Sequence, residues 1–345
     1  MNPNDAKELI KKVSKHNIEV GMKPKDMKDF ADTLILNLES FPGVGKTSIV
    51  GQATEEIDFN LDCIALASYD AGEIAGFPML DKENKIYNRA KPFWLRNNED
   101  KPTVLFFDEV HNAPTANINV VSMLINERRL GEHELADNVT IICAGNRMED
   151  RAGTNPLPSQ FKDRLTTISV EPDLESFLLY ANSKGIHHYI LGFLRNLPQN
   201  LAKFDPAAKS CPTPRSWMRV NTILNMKLPY TLQCEAIKGQ VGEAAQADFL
   251  AYLRVADKME NPSEILSGSN TNIPEDSCVL YALCAALATL VTSSTARNFV
   301  KYLSSLPNKE FAAFTIRDAI QQNKKLKGDK NITDWFFKEG RELLL

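Results

Sequence analysis

Five short apolar runs mark the first half of the chain, at residues 33–38, 61–67, 103–107, 139–144 and 165–170. Each is largely continuous and rich in β-branched or aromatic residues. That is the pattern of a strand buried on both faces, and hence of a parallel sheet. Between the runs the period lengthens: Ile118, Val121, Leu124 and Ile125 recur at helical spacing before Asn126 and Glu127. Strand-like runs alternating with amphipathic stretches predict a doubly wound α/β domain over residues 31–172. After Glu171 the runs stop. Residues 173–200, 217–228, 236–258 and 275–345 read as helices, with a Pro- and Ser-containing loop at 207–214 and a polar linker at 259–274. The expected order is a helical lead-in (1–30, broken by Pro24), the α/β domain (31–172), a helical domain (173–260) and a helical extension (261–345).

The most apolar stretch, 279–291, is shorter than the ~20 residues that span a bilayer, and its Ala/Leu content predicts a buried helix. The charged N-terminus has no apolar segment of the signal-peptide kind, so a cytoplasmic location is expected. A length of 345 residues accommodates two or three domains with cores of their own. The formal net charge of −4 provides no overall basic field toward nucleic acid or an anionic membrane. Cys63, Cys143, Cys211, Cys234, Cys278 and Cys284 form no C-x-x-C and have no spaced His partner. They predict reduced thiols, mostly core fillers, rather than a metal site. His187 and His188 are adjacent, and neighbours on a helix are expected to point apart.

Candidate chemistry begins where the first run ends. Ser40-Phe41-Pro42-Gly43-Val44-Gly45-Lys46-Thr47, followed by Ser48, sits between a strand and a helix start, the context of a phosphate-binding loop. Gly43 and Gly45 let the backbone curl so that successive N–H groups face an anion. Lys46 brings a cation to the phosphates, and Thr47 a hydroxyl for Mg²⁺. Ser40 stands where the G-x-x-x-x-G-K-[ST] pattern has its first glycine. The third run ends in Asp108-Glu109, two carboxylates delivered by a buried strand. Asp108 fits the shell of a metal ion, and Glu109 fits the polarisation of an attacking water. The fourth run continues through Gly145 to Asn146, whose amide can bond a γ-phosphate or the lytic water.

A phosphate loop, an Asp-Glu strand and an Asn-tipped strand in this order resemble an AAA+ ATPase. Gly153-Thr154-Asn155-Pro156-Leu157-Pro158, leading to Asp163-Arg164-Leu165, is similar to the G-T-x-P-L-P-x-x-x-x-D-R-F signature of MoxR-type ATPases, with Leu165 for Phe. Asp108-Glu109-Val110 with Ala113-Pro114 resembles that family's D-E-I-N-R-A-P, with Asn112 for Arg, and Pro214-Arg215 its second-sensor Pro-Arg. The resemblance covers residues 33–223 or so. It implies a P-loop NTPase sheet domain followed by an α-helical lid, ATP and Mg²⁺ as cofactors, and ATP hydrolysis in a ring of six copies.

It also implies roles: Pro42 to Ser48 for the phosphate loop, Asn146 for the first sensor, Arg215 for the second, and Arg164 for a finger that reaches a neighbour's nucleotide. A guanidinium of that kind is worth about 10³–10⁵ in rate. The implied partner is a protein client, one with a von Willebrand A domain in many relatives. Residues 70–78 and a hairpin insert at 126–133 are expected to face it. Within them Phe77 reads as a hydrophobe packed under its own turn, and Arg128 and Arg129 as interfacial or solvated. His111 reads as a loop residue, since Glu109 fills the acid–base role. Two other functions stay open: an AAA+ motor on nucleic acid, of helicase-loader or GTP-driven restriction type, and a nucleotide-binding scaffold of weak turnover, which Ser40 motivates.

Overall fold

The protein is described from a computed structural model over residues 1–20, 33–95, 101–150 and 156–339. Pro24, the 30/31 boundary and Gly153 to Asn155 of the MoxR-like signature lie outside the described residues. In chain order the first unit, Met1–Glu171, contains α1 (Pro3–Val20), β1 (Leu36–Ser40), α2 (Lys46–Glu56), β2 (Asn60–Ala65), α3 (Ala71–Ala75), β3 (Pro78–Asp81), β4 (Ile86–Arg89) and β5 (Thr103–Asp108). It continues with α4 (Thr115–Glu127), β6 (Arg129–Leu130), β7 (His133–Glu134), β8 (Val139–Asn146), α5 (Ser159–Lys162) and β9 (Thr166–Ser169).

All five apolar runs become strands of one sheet, in the order β2-β5-β8-β1-β9. Every pairing is parallel. β5 and β8, central and apolar on both faces, are buried almost end to end. β1 runs past its apolar segment through Glu39 and Ser40, because the backbone ladder to β8 continues there. Ser40 lies abreast of Asn146 and Glu39 abreast of Gly145. That register puts the polar ends of both strands at one edge, the carboxyl edge where open α/β sheets bind ligands.

The N-terminal helix belongs to this unit. α1 buries Ala6, Ile10 and Val13. Asn17, wholly buried, donates to the Leu34 carbonyl (2.8 Å) and the Thr140 hydroxyl (2.9 Å) and accepts from the Leu34 N–H (3.1 Å). Lys7 and Lys11 pin α1 to Glu56 at the end of α2.

The second unit, Pro172–Leu345, is helical. It holds α6 (Leu174–Ser183), α7 (His188–Asn196), α8 (Pro214–Asn225), α9 (Tyr230–Ala256), α10 (Pro262–Ser267), α11 (Ser277–Leu290), α12 (Ala296–Ser304), α13 (Lys309–Gln322) and α14 (Lys330–Lys338). One core gathers Phe193, Trp217, Phe249 and Tyr252. The other gathers Leu283, Phe299, Ile316 and Trp335. α11 serves both, with Ala282 and Ala285 on the first and Leu280, Leu283 and Leu287 on the second. Small side chains on one face and large ones on the other let it lie between two layers. This is why 173–260 and 261–345 form one unit instead of separate domains. The buried, Ala/Leu-rich helix is the one its composition predicts. No helix among the described residues is long and apolar enough to cross a membrane.

Cys143 and Cys284 are buried and are core fillers, their thiols pushed up to about 12 by burial. Cys63 is exposed and the other three are half-buried, so core filling is the minority role. His187 and His188 do not point apart. Their rings stack at 4.5 Å, because His187 caps α7 from outside the helical turn and accepts from the Tyr189 N–H. Burial pushes His188 down to about 4 from an ordinary value of 6.5. The unfolded chain therefore takes up this proton near pH 6.5 and the folded chain only near pH 4. Stability complete above pH 6.5 is lost as pH falls through that window. A His188→Gln variant is expected to show a flatter Tm against pH between 6.5 and 4, by a few degrees, in calorimetric melts.

Candidate phosphate-binding site

The loop between β1 and α2 turns on Gly43 (φ 91°) and Gly45 (φ 109°), left-handed positions that favour glycine. Gly45 caps α2 without a side-chain bond. The helix thus opens without a side-chain cap, at an end where its dipole favours an anion. Pro42 and Val44 complete the curl, Val44 buried beneath it. Ser40 stays extended and fits as the last residue of β1.

Three elements converge on this loop. The Lys46 ammonium, buried, donates to the Ser40 carbonyl (3.2 Å), the Ser40 hydroxyl (3.0 Å) and Asn146 Oδ1 (3.0 Å). The Thr47 hydroxyl donates to Asp108 Oδ2 at 2.6 Å. Glu109 follows with an exposed side chain and a left-handed backbone, φ 60° and ψ 33°. Its N–H bonds the Asp108 carboxylate at 2.9 Å. A non-glycine residue in that conformation costs about 1 kcal/mol or more, a strain typical of functional positions. Here it turns the chain sharply off β5 and presents Glu109 beside Asp108. The structure thus brings Lys46, Thr47, Asp108 and Asn146 into direct contact, with Glu109 adjoining.

The arginines stand differently. Arg164 is exposed just after α5, its guanidinium on the Gln160 carbonyl one turn back. Arg215 is exposed in the first turn of α8, within the second unit, where Thr213 and Ser216 form a capping box. Arg164 makes no hydrogen bond to the loop among the described residues.

Several neighbours were not legible as functional. His111 is buried and pairs through Nε2 with Glu39 (3.0 Å), so it is no free loop residue. Its hydrogen bond holds the Glu39 carboxyl below the usual range. A Cβ at Gly145 would lie 1.7 Å from His111 Nδ1, so the absence of a side chain there is what lets the imidazole tuck against β8. A cavity of about 280 Å³ opens beside the pair, lined by Glu39, His111, Arg147, Leu157 and Lys162 among others. Arg147 lies over the Phe41 ring (5.6 Å) and bonds Asp150 (3.1 Å) and Glu171 (2.8 Å).

Arg128 is neither solvated nor interfacial. It is buried, and it ties the β6–β7 hairpin to β8 through the Ala136 (2.7 Å) and Val139 (3.0 Å) carbonyls. Desolvation lowers it to about 10. The expected insert near 126–133 is present as that hairpin. Residues 70–78 resolve into the short helix α3 and the start of a second hairpin, β3–β4, which the sequence reading did not foresee. Met79, Leu80, Ile86 and Tyr87 on it are all more than half exposed, as is Phe77 beside it. Phe77 is thus only partly packed under its turn, with its ring against Gly72 of α3.

Three comparisons with known proteins bear on this site. Residues 38–167 match the family described as "ATPase family associated with various cellular activities (AAA)". No curated protein matches the chain. Among solved structures, the RuvB Holliday junction branch migration motor of Thermotoga maritima aligns at 16% identity over 81% of each chain, with a TM-score of 0.36. A putative ATPase from Cytophaga hutchinsonii aligns at 15% identity over 91% of this chain and 85% of that one, with a TM-score of 0.34. The family match begins within β1 and ends within β9, and it encloses the loop after β1 and the strands that end in Asp108 and Asn146.

Proposed function

We propose that the protein hydrolyses ATP as a MoxR-like AAA+ ring of six copies and spends that energy on remodelling a partner protein. The observation that carries the reading is the contact set of Lys46, Thr47, Asp108 and Asn146 around a helix start without a side-chain cap. Lys46 and the loop amides bind and orient the phosphates. Glu109 takes the proton of the attacking water as its oxygen bonds the γ-phosphorus and the bond from that phosphorus to the ADP oxygen breaks. Asn146 orients that water or the γ-phosphate.

Thr47 and Asp108 would hold Mg²⁺. Their two oxygens lie side by side, 2.6 Å apart. Both are hard oxygen donors, as that ion requires. Bound there, it would neutralise charge on the β- and γ-phosphates. Among the described residues no cluster of three or more His, Cys, Asp or Glu could hold a metal, so phosphate and water would complete the shell.

Arg164, exposed beside the domain's last strand, is the finger for a neighbouring copy, and Arg215 the second sensor. Mixtures of Lys46→Ala and Arg164→Ala protein are expected to recover phosphate release that each alone lacks, because one supplies the arginine and the other an intact loop. Absence of rescue at any ratio, with both variants assembled, overturns the shared site. The client surface is the β3–β4 hairpin, whose exposed apolar residues mark an interaction site. A von Willebrand A domain is the partner to test first, by co-purification with Glu109→Gln protein in ATP.

One observation favours a second reading, a motor on nucleic acid. The same hairpin and its flanks interleave Phe77, Tyr87 and Phe93 with Lys82, Lys85, Arg89 and Lys91. Turnover stimulated by DNA and lost with rising salt would select it.

A further inference from the structure

Glu109 is exposed and stands on a left-handed backbone, so its aim depends on what holds the turn behind it. That turn is a short 3₁₀ segment, Val110–Asn112. The Asn112 N–H closes it on the Glu109 carbonyl at 2.9 Å. Val110 is wholly buried in the apolar core of the sheet unit. His111, 4% exposed, donates from Nε2 to the Glu39 carboxylate at 3.0 Å. Glu39 lies on β1 and the turn follows β5, with β8 between the two strands. The imidazole therefore crosses the end of β8, over Gly145, which lies abreast of Glu39 and has no side chain to block it. Asn37, further back on β1, donates to the same Glu39 oxygen at 3.0 Å and orients the carboxylate. The first of these ties is local and the second is apolar and non-directional. The charge-assisted bond to Glu39 is the directional one, and it sets how the turn is rotated against the sheet.

We propose that His111 is a positioning residue, which by bonding Glu39 across the bare Gly145 holds the turn that aims Glu109 at the attacking water. The inference rests on the hydrolysis reading above. A strained backbone persists only where its surroundings over-determine it, and the strap to β1 supplies that constraint two residues past Glu109. A base must lie within hydrogen-bond reach of the water it deprotonates, and a misplacement of about 1 Å costs on the order of 10²-fold in rate. The phosphate loop turns on its own glycines, Gly43 and Gly45, so nucleotide binding does not depend on the aim of Glu109.

His111→Ala should therefore lower ATP turnover about 10–10²-fold and leave the Kd for magnesium–ADP within a few-fold. His111→Gln should recover most of that loss, because its amide nitrogen reaches about as far as Nε2 and donates to a carboxylate. His111→Asn should not, because its shorter amide ends where Nδ1 now lies, against Gly145. Glu39→Ala should repeat the loss, and the double variant with His111→Ala should lose nothing more, since both break one bond. In a Glu109→Gln background His111→Ala should cost little, because no base is left to misaim.

The test is phosphate release at saturating ATP and calorimetric titration of magnesium–ADP on the full-length wild type and these variants, with melting curves to confirm folding. A turnover loss in His111→Ala that spares ADP binding, returns toward wild type in His111→Gln but not in His111→Asn, and vanishes in the Glu109→Gln background supports the assignment. Unchanged turnover in folded His111→Ala, a loss that multiplies with that of Glu109→Gln, or a matching loss of ADP binding overturns it and leaves the nucleotide reading standing. If His111→Ala does not fold, His111→Gln and His111→Asn decide, and equal turnover in the two overturns the role. A folded wild type that binds no nucleotide overturns the nucleotide reading itself, and the role of His111 falls with it.

Discussion

Lys46→Ala is expected to raise the Kd for magnesium–ADP by about 10²-fold or more, and Glu109→Gln to leave that Kd within a few-fold while turnover falls about 10²–10⁴-fold. The two losses separate because the side chains stand in different surroundings. Lys46 is buried among three oxygens at the base of the loop. Its removal takes away the cation facing the phosphates and leaves the Ser40 hydroxyl and the Asn146 amide oxygen without their donor. Charge-assisted bonds are about twice as strong as neutral ones, so the damage falls on binding. Glu109 is exposed, makes no bond to the loop through its carboxylate, and is aimed by a strained backbone instead of by a partner. The amide of glutamine keeps its shape but cannot accept the proton. Binding calorimetry and steady-state phosphate release on the same preparations decide the matter. Retained hydrolysis in Lys46→Ala would place the chemistry elsewhere in the chain. Loss of binding in Glu109→Gln would make that residue structural.

Most of the sheet was readable because its signal is redundant. Five continuous apolar runs pointed to a parallel sheet; β5 and β8 inside it are buried almost end to end, whereas the edge strands β2 and β9 are mostly half-buried or exposed. The readable part of the site was the part where chemistry demands particular residue types in sequence, such as Gly45-Lys46-Thr47 and Asp108-Glu109. What stayed hidden depends on neighbours distant in the chain. Ser40 looked like a defect in the loop pattern, because only the register of β1 with β8 shows that it shares Lys46 with Asn146, more than a hundred residues away along the chain. His111 looked like a loop residue, because Glu39 and the bare Gly145 that make room for it lie on two other strands. Arg128 is charged and therefore read as exposed, yet two carbonyls at the end of a hairpin accept its guanidinium inside the unit. The β3–β4 hairpin was missed for the opposite reason. Its apolar residues lie on both faces of a two-stranded ribbon and stay exposed, so no alternation marks a buried side.

In the second unit, Arg195→Met alone is expected to destabilise the fold by about 3–5 kcal/mol, while Arg195→Met with Asp318→Leu recovers most of that loss. Arg195 on α7 and Asp318 on α13 meet at 2.6 Å with side chains only 5% and 4% exposed. The Arg195 guanidinium also lies 4.4 Å from the centre of the Phe314 ring. The pair spans the layer that α11 fills, so it joins the two cores. Burying both charges is costly, and their attraction roughly offsets that cost, whereas removing one leaves the other uncompensated. Burial already raises the Asp318 carboxyl above its ordinary range, against the pull of Arg195. Without the arginine it rises further.

The sign of the pH response follows. A carboxyl whose folded value lies above its unfolded value holds its proton more tightly in the folded chain, so its stabilising contribution is complete below the unfolded value and is lost as pH rises through the folded one. Arg195→Met protein is therefore expected to gain stability relative to wild type as pH falls from neutrality toward 4, and the double variant to show no such relative gain. Urea titrations at pH 7 and pH 5 on the three proteins separate this from loss of packing, which would cost the same at both. Equal losses at the two pH values would mean that the arginine stabilises α7 through its contact with Phe314 and its carbon chain, with the carboxylate a bystander.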